Sequence, residues 1–189
     1  MTALWTLLGA ATAAFLAGIA IYNSLVSLRA RVDQAFADID VQLKMRRDLI
    51  PSLVETVKGY AGHEKSTLEN VIKARNAAAS AAHNNPDQAI AAENMLTGAL
   101  RQIFALSEAY PNLKADVNFQ KLQGELSNVE NKLASVRNLF NETVQEYNVG
   151  IETFPAVLLA KSLGFLKRAS FDVGSEERVN LDKPPEIKF

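Results

Sequence analysis

The side chains able to do acid–base, metal or phosphate chemistry are few in this sequence, and they are scattered. Its two histidines are His63 and His83. His63 sits in Gly62-His63-Glu64-Lys65, where an imidazole could exchange protons near neutral pH. No second His or acidic cluster stands at i+3 or i+4 to make a metal face, so it reads as a solvated residue on a helix surface. His83 reads as a loop residue or a partner for a helix C-terminal dipole. Cys is absent, which excludes disulfides, thiolate metal sites and cysteine nucleophiles. Glu125, Glu130 and Glu142 alternate with Lys121 and Lys132, the pattern of a solvated coiled-coil flank. Gly59 and Gly62 follow no strand and make no phosphate loop. Lys44, Arg46 and Arg47 could touch phosphate, but they read first as charge at a bundle end or beside a membrane. With 20 basic and 21 acidic side chains, a broad nucleic-acid surface is not expected. These residues predict no enzyme, no metal and no cofactor.

The elements around these residues are helical. Ala far outnumbers the 9 Gly and 6 Pro, and Ala is the strongest helix former. No charged side chain precedes Arg29. Residues 4–23 are long enough, as a helix, to cross the ~30 Å core of a bilayer. Trp5 and Tyr22 stand near the two ends, where rings with one apolar and one polar edge favour the headgroup level. Gly9, Ala13, Ala17 and Ala20 form a small-residue stripe that lets another helix approach. A cleaved signal peptide fits less well, because no basic region precedes the apolar run and the run is too long. Arg29 and Arg31 follow the span, so the positive-inside rule puts the N-terminus outside and the rest in the cytoplasm. The reading is a single-pass anchor over residues 1–24.

Beyond the span, Leu25, Leu28, Val32, Phe36, Ile39 and Leu43 keep to one helical face. Asp48 through Pro51 read as a stop and a new helix start, with a kink as the alternative. A second helix then carries Leu53, Val57, Leu68 and Val71 to about residue 82, with Gly59 and Gly62 as weak points. His83 through Asp87 read as a break. A third helix follows from about Gln88 to Tyr110, carrying Leu96, Leu100, Ile103 and Leu106 inward. In the fourth, Phe119, Leu122, Leu126, Val129, Leu133, Val136 and Phe140 step three and four in turn, a coiled-coil seam. The expected fold is all-α: a transmembrane helix continuing into an antiparallel, up-down four-helix bundle over residues 25–168. Val32, Phe36, Ile39, Leu126, Val129, Leu133, Val136 and Phe140 are its expected core. In that topology Tyr147-Asn148 should stand near the level of Tyr22-Asn23. Residues 154–168 are too short to span a bilayer but apolar enough to lie on one. Leu158 and Phe165 would face the interface and Lys161, Lys167 and Arg168 the anionic headgroups. A subunit contact or a cap over the bundle end would use the same residues. Residues 169–189 read as a polar tail.

Several runs resemble the LemA family. They include Tyr22-Asn23-Ser24-Leu25-Val26, Asp38 through Lys44, Arg47 through Pro51 and Leu53 through Tyr60. Others are Glu108-Ala109-Tyr110-Pro111-Asn112-Leu113-Lys114-Ala115, Phe119, Leu122-Gln123, Glu130-Asn131, Tyr147-Asn148, Phe154-Pro155 and Ala160-Lys161. The ending Pro185-Glu186-Ile187-Lys188-Phe189 fits as well, and the resemblance covers about residues 20–168. It implies a bacterial inner-membrane protein with a short external N-terminus and a cytoplasmic helical bundle. Relatives in magnetosome membranes imply membrane organisation, and the resemblance carries over no catalytic residue. The function expected is a self-associating scaffold that organises or shapes the membrane, with the lipid bilayer and further copies of the chain as partners. The alternative is an adaptor or regulator of a membrane protease or signalling system.

Overall fold

A computed structural model describes residues 2–81 and 86–171. The expected break at residues 83–87 lies partly outside them, as do His83 and most of the expected tail. Among the described residues every regular element is a helix. They are α1 (Thr2–Tyr60), α2 (Lys65–Ala81), α3 (Pro86–Ala109), the short α4 (Pro111–Lys114), α5 (Val117–Glu152) and the short α6 (Val157–Ala160).

The stop expected at Asp48–Pro51 does not occur. Helix α1 runs through it with Pro51 inside, and Asp48 is no cap but the ion-pair partner of Lys44 one turn earlier. Proline has no N–H for the carbonyl four residues back, here that of Arg47. That carbonyl instead accepts a hydrogen bond from Arg75 Nε of α2, at 3.4 Å. The chain turns ten residues later, at 61–64. There the Glu64 N–H bonds the Ala61 carbonyl at 3.0 Å. A side chain at Gly62 would put a Cβ 3.0 Å from the Lys58 carbonyl, so the smallest residue suits the turn. His63 is exposed in this turn rather than on a helix surface.

The next boundary is a cap. Asp116, just before α5, accepts the Phe119 N–H at 2.9 Å, the bond that an N-cap carboxylate makes to the third helical residue. The Tyr60 hydroxyl donates to its other oxygen at 2.9 Å, tying the end of α1 to the start of α5. These two donors hold the Asp116 carboxyl below its usual range, the backbone N–H being the larger cause.

The chain divides into two compact units, with α1 and α5 contributing to each. One unit comprises Ala37–Val136. Its core gathers Ile50, Leu53 and Val57 of α1, Leu68 and Val71 of α2, Leu96 and Ile103 of α3, and Phe119 and Leu126 of α5. Val129 and Leu133 are buried too, and Val136 is half-buried.

The other unit comprises Met1–Phe36 with Arg137–Phe189. Here α1 and α5 run antiparallel, with Phe36 against Phe140, Arg31 paired to Glu146 at 2.8 Å, and Leu28 opposite Gly150. A Cβ on Gly150 would lie 2.7 Å from Leu28 Cδ1, so this close helix approach depends on the missing side chain. Leu25, Val32, Phe140, Val144, Tyr147 and Ile151 are buried. Phe36, expected in the core, is 40% exposed. Ala35 holds the inward position beside it, and the Phe36 ring leans on Phe140 from the seam's edge. Helix α5 runs past Tyr147 to Glu152, so it is Phe165, not Tyr147, that reaches Tyr22.

Candidate membrane-contact surface and buried charge cluster

From Leu4 to Tyr22, α1 touches almost nothing else among the described residues. Leu4, Trp5, Leu7, Leu8, Phe15 and Leu16 are each more than half exposed, and Tyr22 nearly so. Gly9 has open space around it, and Ala13, Ala17 and Ala20 are exposed on the same stripe. An apolar surface of this extent is costly in water. Among the described residues, α1 is the one helix long and apolar enough to cross a membrane.

The chain after α5 folds back onto α1 just beyond this stretch. Gly164, at φ +79°, adopts the left-handed conformation that glycine accepts without steric cost. It lets the Phe165 N–H return to the Ala160 carbonyl at 2.9 Å and the Gly164 N–H to that of Lys161 at 3.2 Å, a Schellman ending. That reversal drives the Phe165 ring inward, to 3% exposure. It meets Tyr22 edge-on at 5.8 Å, with the Arg29 guanidinium 5.3 Å from its centroid. Phe165 is therefore a packing residue in this unit, whereas Leu158 is 70% exposed. The charges beside it are mostly engaged: Lys167 pairs with Glu152 at 2.6 Å and Arg168 with Asp33 at 3.3 Å. Lys161 is exposed.

Two asparagines on α5 hold the returning chain. Asn148 both accepts the Arg168 N–H and donates to the Arg168 carbonyl, each at 2.9 Å. Asn141 does the same for Phe171, at 2.7 and 3.1 Å. Seven helical residues rise about 10.5 Å, a distance that three residues can span at about 3.3 Å each. Arg137 covers the Phe171 ring at 4.7 Å. The open groove alongside, lined by Asn138, Asn141, Glu142, Gln145 and Asn148 among others, thus has two of its amides committed to the backbone.

The second candidate is Arg46. Its position continues the α1 seam, three residues after Leu43 and four before Ile50, so the guanidinium enters the core at 2% exposure. It reaches Glu93 at 3.2 Å, Thr97 Oγ1 at 2.7 Å and Glu130 at 2.7 Å. Arg47 reaches the other Glu93 oxygen at 3.1 Å. Burial pushes the Glu93 carboxyl above its usual range, and the two guanidiniums only partly offset this. Arg46 is thus neither a bundle-end charge nor a surface phosphate ligand. Its heptad spacing was the signal for burial, and a positive charge at such a position hides it. Among the described residues no group of three His, Asp or Glu side chains is placed to hold a metal.

Known proteins are similar to this chain over most of its length. A "Protein LemA" from Metamycoplasma hominis is 26% identical over 163 residues, covering 85% of this chain and 73% of its own length. "Magnetosome protein MamQ" from Magnetospirillum gryphiswaldense is 23% identical over 174 residues. "Magnetosome protein MamQ 2" from Paramagnetospirillum magneticum is 22% identical over the same length. The matches to these two magnetosome proteins cover 79% of this chain and 64% of theirs, so the chain spans under two thirds of their length. The pattern of the LemA family matches residues 35–189, which include the part of α1 from residue 35 that carries Arg46, the Asp116 cap and all of α5. By that match, over most of its length, the chain belongs to the LemA family.

Proposed function

We propose that the protein is a membrane-anchored helical scaffold that self-associates in the bacterial inner membrane and organises or shapes it, without catalytic activity. The exposed apolar half of α1 carries this reading. A surface of that kind requires lipid or another helix around it, and the Gly9, Ala13, Ala17 and Ala20 stripe offers a second copy a close approach. The MamQ relatives, named for magnetosomes, support a role at a membrane. In this reading the N-terminus is outside, α1, α2, α3 and α5 pack as an up-down bundle in the cytoplasm, and the span is crossed once. Arg29 and Arg31 just after the span support that orientation.

The test is electron microscopy of the full-length protein in lipid nanodiscs and vesicles, with a reporter fused after Phe189 to fix topology. Defined homo-oligomers with a cytoplasmic reporter are expected. A monomer that co-purifies with a membrane protease would replace the scaffold by an adaptor, and a periplasmic reporter would reverse the orientation.

A further inference from the structure

The segment after α5 has two unlike sides. Ala160 and Phe165 are buried against the rest of their unit, whereas Phe154 is 75% exposed and Leu158, Leu166, Val157 and Leu163 are all substantially bare. A segment that merely closed the end of a helical pair would leave no such outer face. Its position is fixed from three directions: by Phe165 on Tyr22, by the Tyr147 hydroxyl donating to the Leu166 carbonyl at 3.0 Å, and by Arg168 on Asp33 and Asn148. Tyr22 is the last aromatic ring of the exposed apolar stretch of α1. The bare face therefore begins where that stretch ends, and both belong to the same unit.

We propose that residues 154–166 form a second membrane contact, a short ledge lying in the headgroup–acyl boundary of the leaflet at the Tyr22 end of the span. The proposal rests on the span being in lipid. Once α1 is inserted, a ring at the Tyr22 level lies at the headgroup boundary, and a face docked on that ring meets the same boundary. Phe154, Leu158 and Leu166 enter the acyl edge to the shallow depth typical of in-plane helices, roughly 5–10 Å. Lys161 stays at the anionic headgroups. The pairing of Lys167 and Arg168 with Glu152 and Asp33 makes those two clamps on the protein rather than headgroup ligands. The ledge gives each anchor a fixed footprint beside its span, so that one helix becomes an oriented wedge in one leaflet.

The chain has no Cys, so single labels can be introduced into the full-length protein. Nitroxides are placed at Leu8→Cys, Phe154→Cys, Leu158→Cys and Gln145→Cys, in phosphatidylethanolamine–phosphatidylglycerol vesicles with at most one copy each. Their collision rates with oxygen, which concentrates in lipid, are compared with those of a water-soluble nickel chelate. Labels at 8, 154 and 158 should favour oxygen and 145 the chelate. Leu158→Asp should move the 154 label towards the chelate while helix content, by circular dichroism, stays unchanged, since Phe165 is untouched. Labels at 154 and 158 that favour the chelate while 8 favours oxygen overturn the ledge and leave the anchor standing. Labels shielded from both reagents, with spin–spin broadening at higher protein density, make the face a contact between copies and also overturn it. A label at 8 that favours the chelate would instead refute the anchor itself.

Discussion

Replacing Arg46 by Met should destabilise the protein far more than losing a surface ion pair would. Arg46 and Glu93 are both buried, and Arg46 makes three short polar contacts, to Glu93, Thr97 and Glu130. Met fills similar space, so little cavity is left, and the cost is mainly that of a buried carboxylate losing its partner. Breaking such a pair typically costs about 3–5 kcal/mol. Here the lower end applies, because Arg47 still holds the other Glu93 oxygen at 3.1 Å. Glu130 is partly exposed and can be hydrated, which adds less than about 1 kcal/mol. The Thr97 hydroxyl keeps its bond to the Glu93 carbonyl at 3.0 Å and is not orphaned. The expected loss is therefore about 3–4 kcal/mol, against a total of roughly 5–15 for a typical domain. Arg46→Met with Glu93→Met should cost less than Arg46→Met alone, because replacing a buried pair by apolar groups is often neutral or better. Removing Arg46 also raises the Glu93 carboxyl further, so the damage should shrink at acid pH. Glu93 itself follows the same sign: its folded pKa is raised, so its contribution is whole below the ordinary value of 4.5 and is lost as pH rises through the folded one. Urea unfolding in mild detergent, followed by circular dichroism across pH, measures each quantity. A single-variant loss below about 1 kcal/mol, or a double variant equal to the sum of the singles, would show that water already solvates these charges and refute the argument.

Pro51→Ala restores an N–H to the Arg47 carbonyl and should raise stability by roughly 1–3 kcal/mol, less than the full cost of an interior proline because Arg75 already serves that carbonyl. Arg75→Met should then lower the urea midpoint in the parent but hardly at all in Pro51→Ala. Asp116→Ala should fray the start of α5 and lower the melting temperature, whereas Asp116→Asn keeps the cap. Because the Asp116 carboxyl is held low, its charge-dependent stabilisation is present above its ordinary value and lost as pH falls through the folded one. A melting temperature that fell equally with acid in the parent and in Asp116→Asn would contradict this.

Much of this protein is legible along the chain because its elements are helices, whose apolar faces repeat every three to four residues. The uncharged run before Arg29, the all-helical class, the α5 seam through Leu126 and Leu133, and the apolar character of residues 154–166 all follow from residue type and spacing. Local signals misplaced the first turn. Asp48 and Pro51 look like a helix start, but tertiary contact overrules them: Arg75, 24 residues beyond Pro51 in sequence, supplies the hydrogen bond that the proline cannot, and α1 continues to Tyr60. The same limit explains Arg46, Phe36 and Phe165. Periodicity gives the direction in which a side chain points, but not what waits there. Arg46 points inward and is accepted because Glu93, Thr97 and Glu130 converge on it. Phe36 meets Phe140 at the edge of the seam and stays partly out. Phe165 looks like a membrane residue by composition, and becomes a packing residue because Gly164 reverses the chain and Tyr22 receives the ring. Residue type and spacing determined which surfaces of this chain are apolar. Which of them close on one another was decided by partners distant in sequence, because burial energy depends on the facing group as much as on the residue itself.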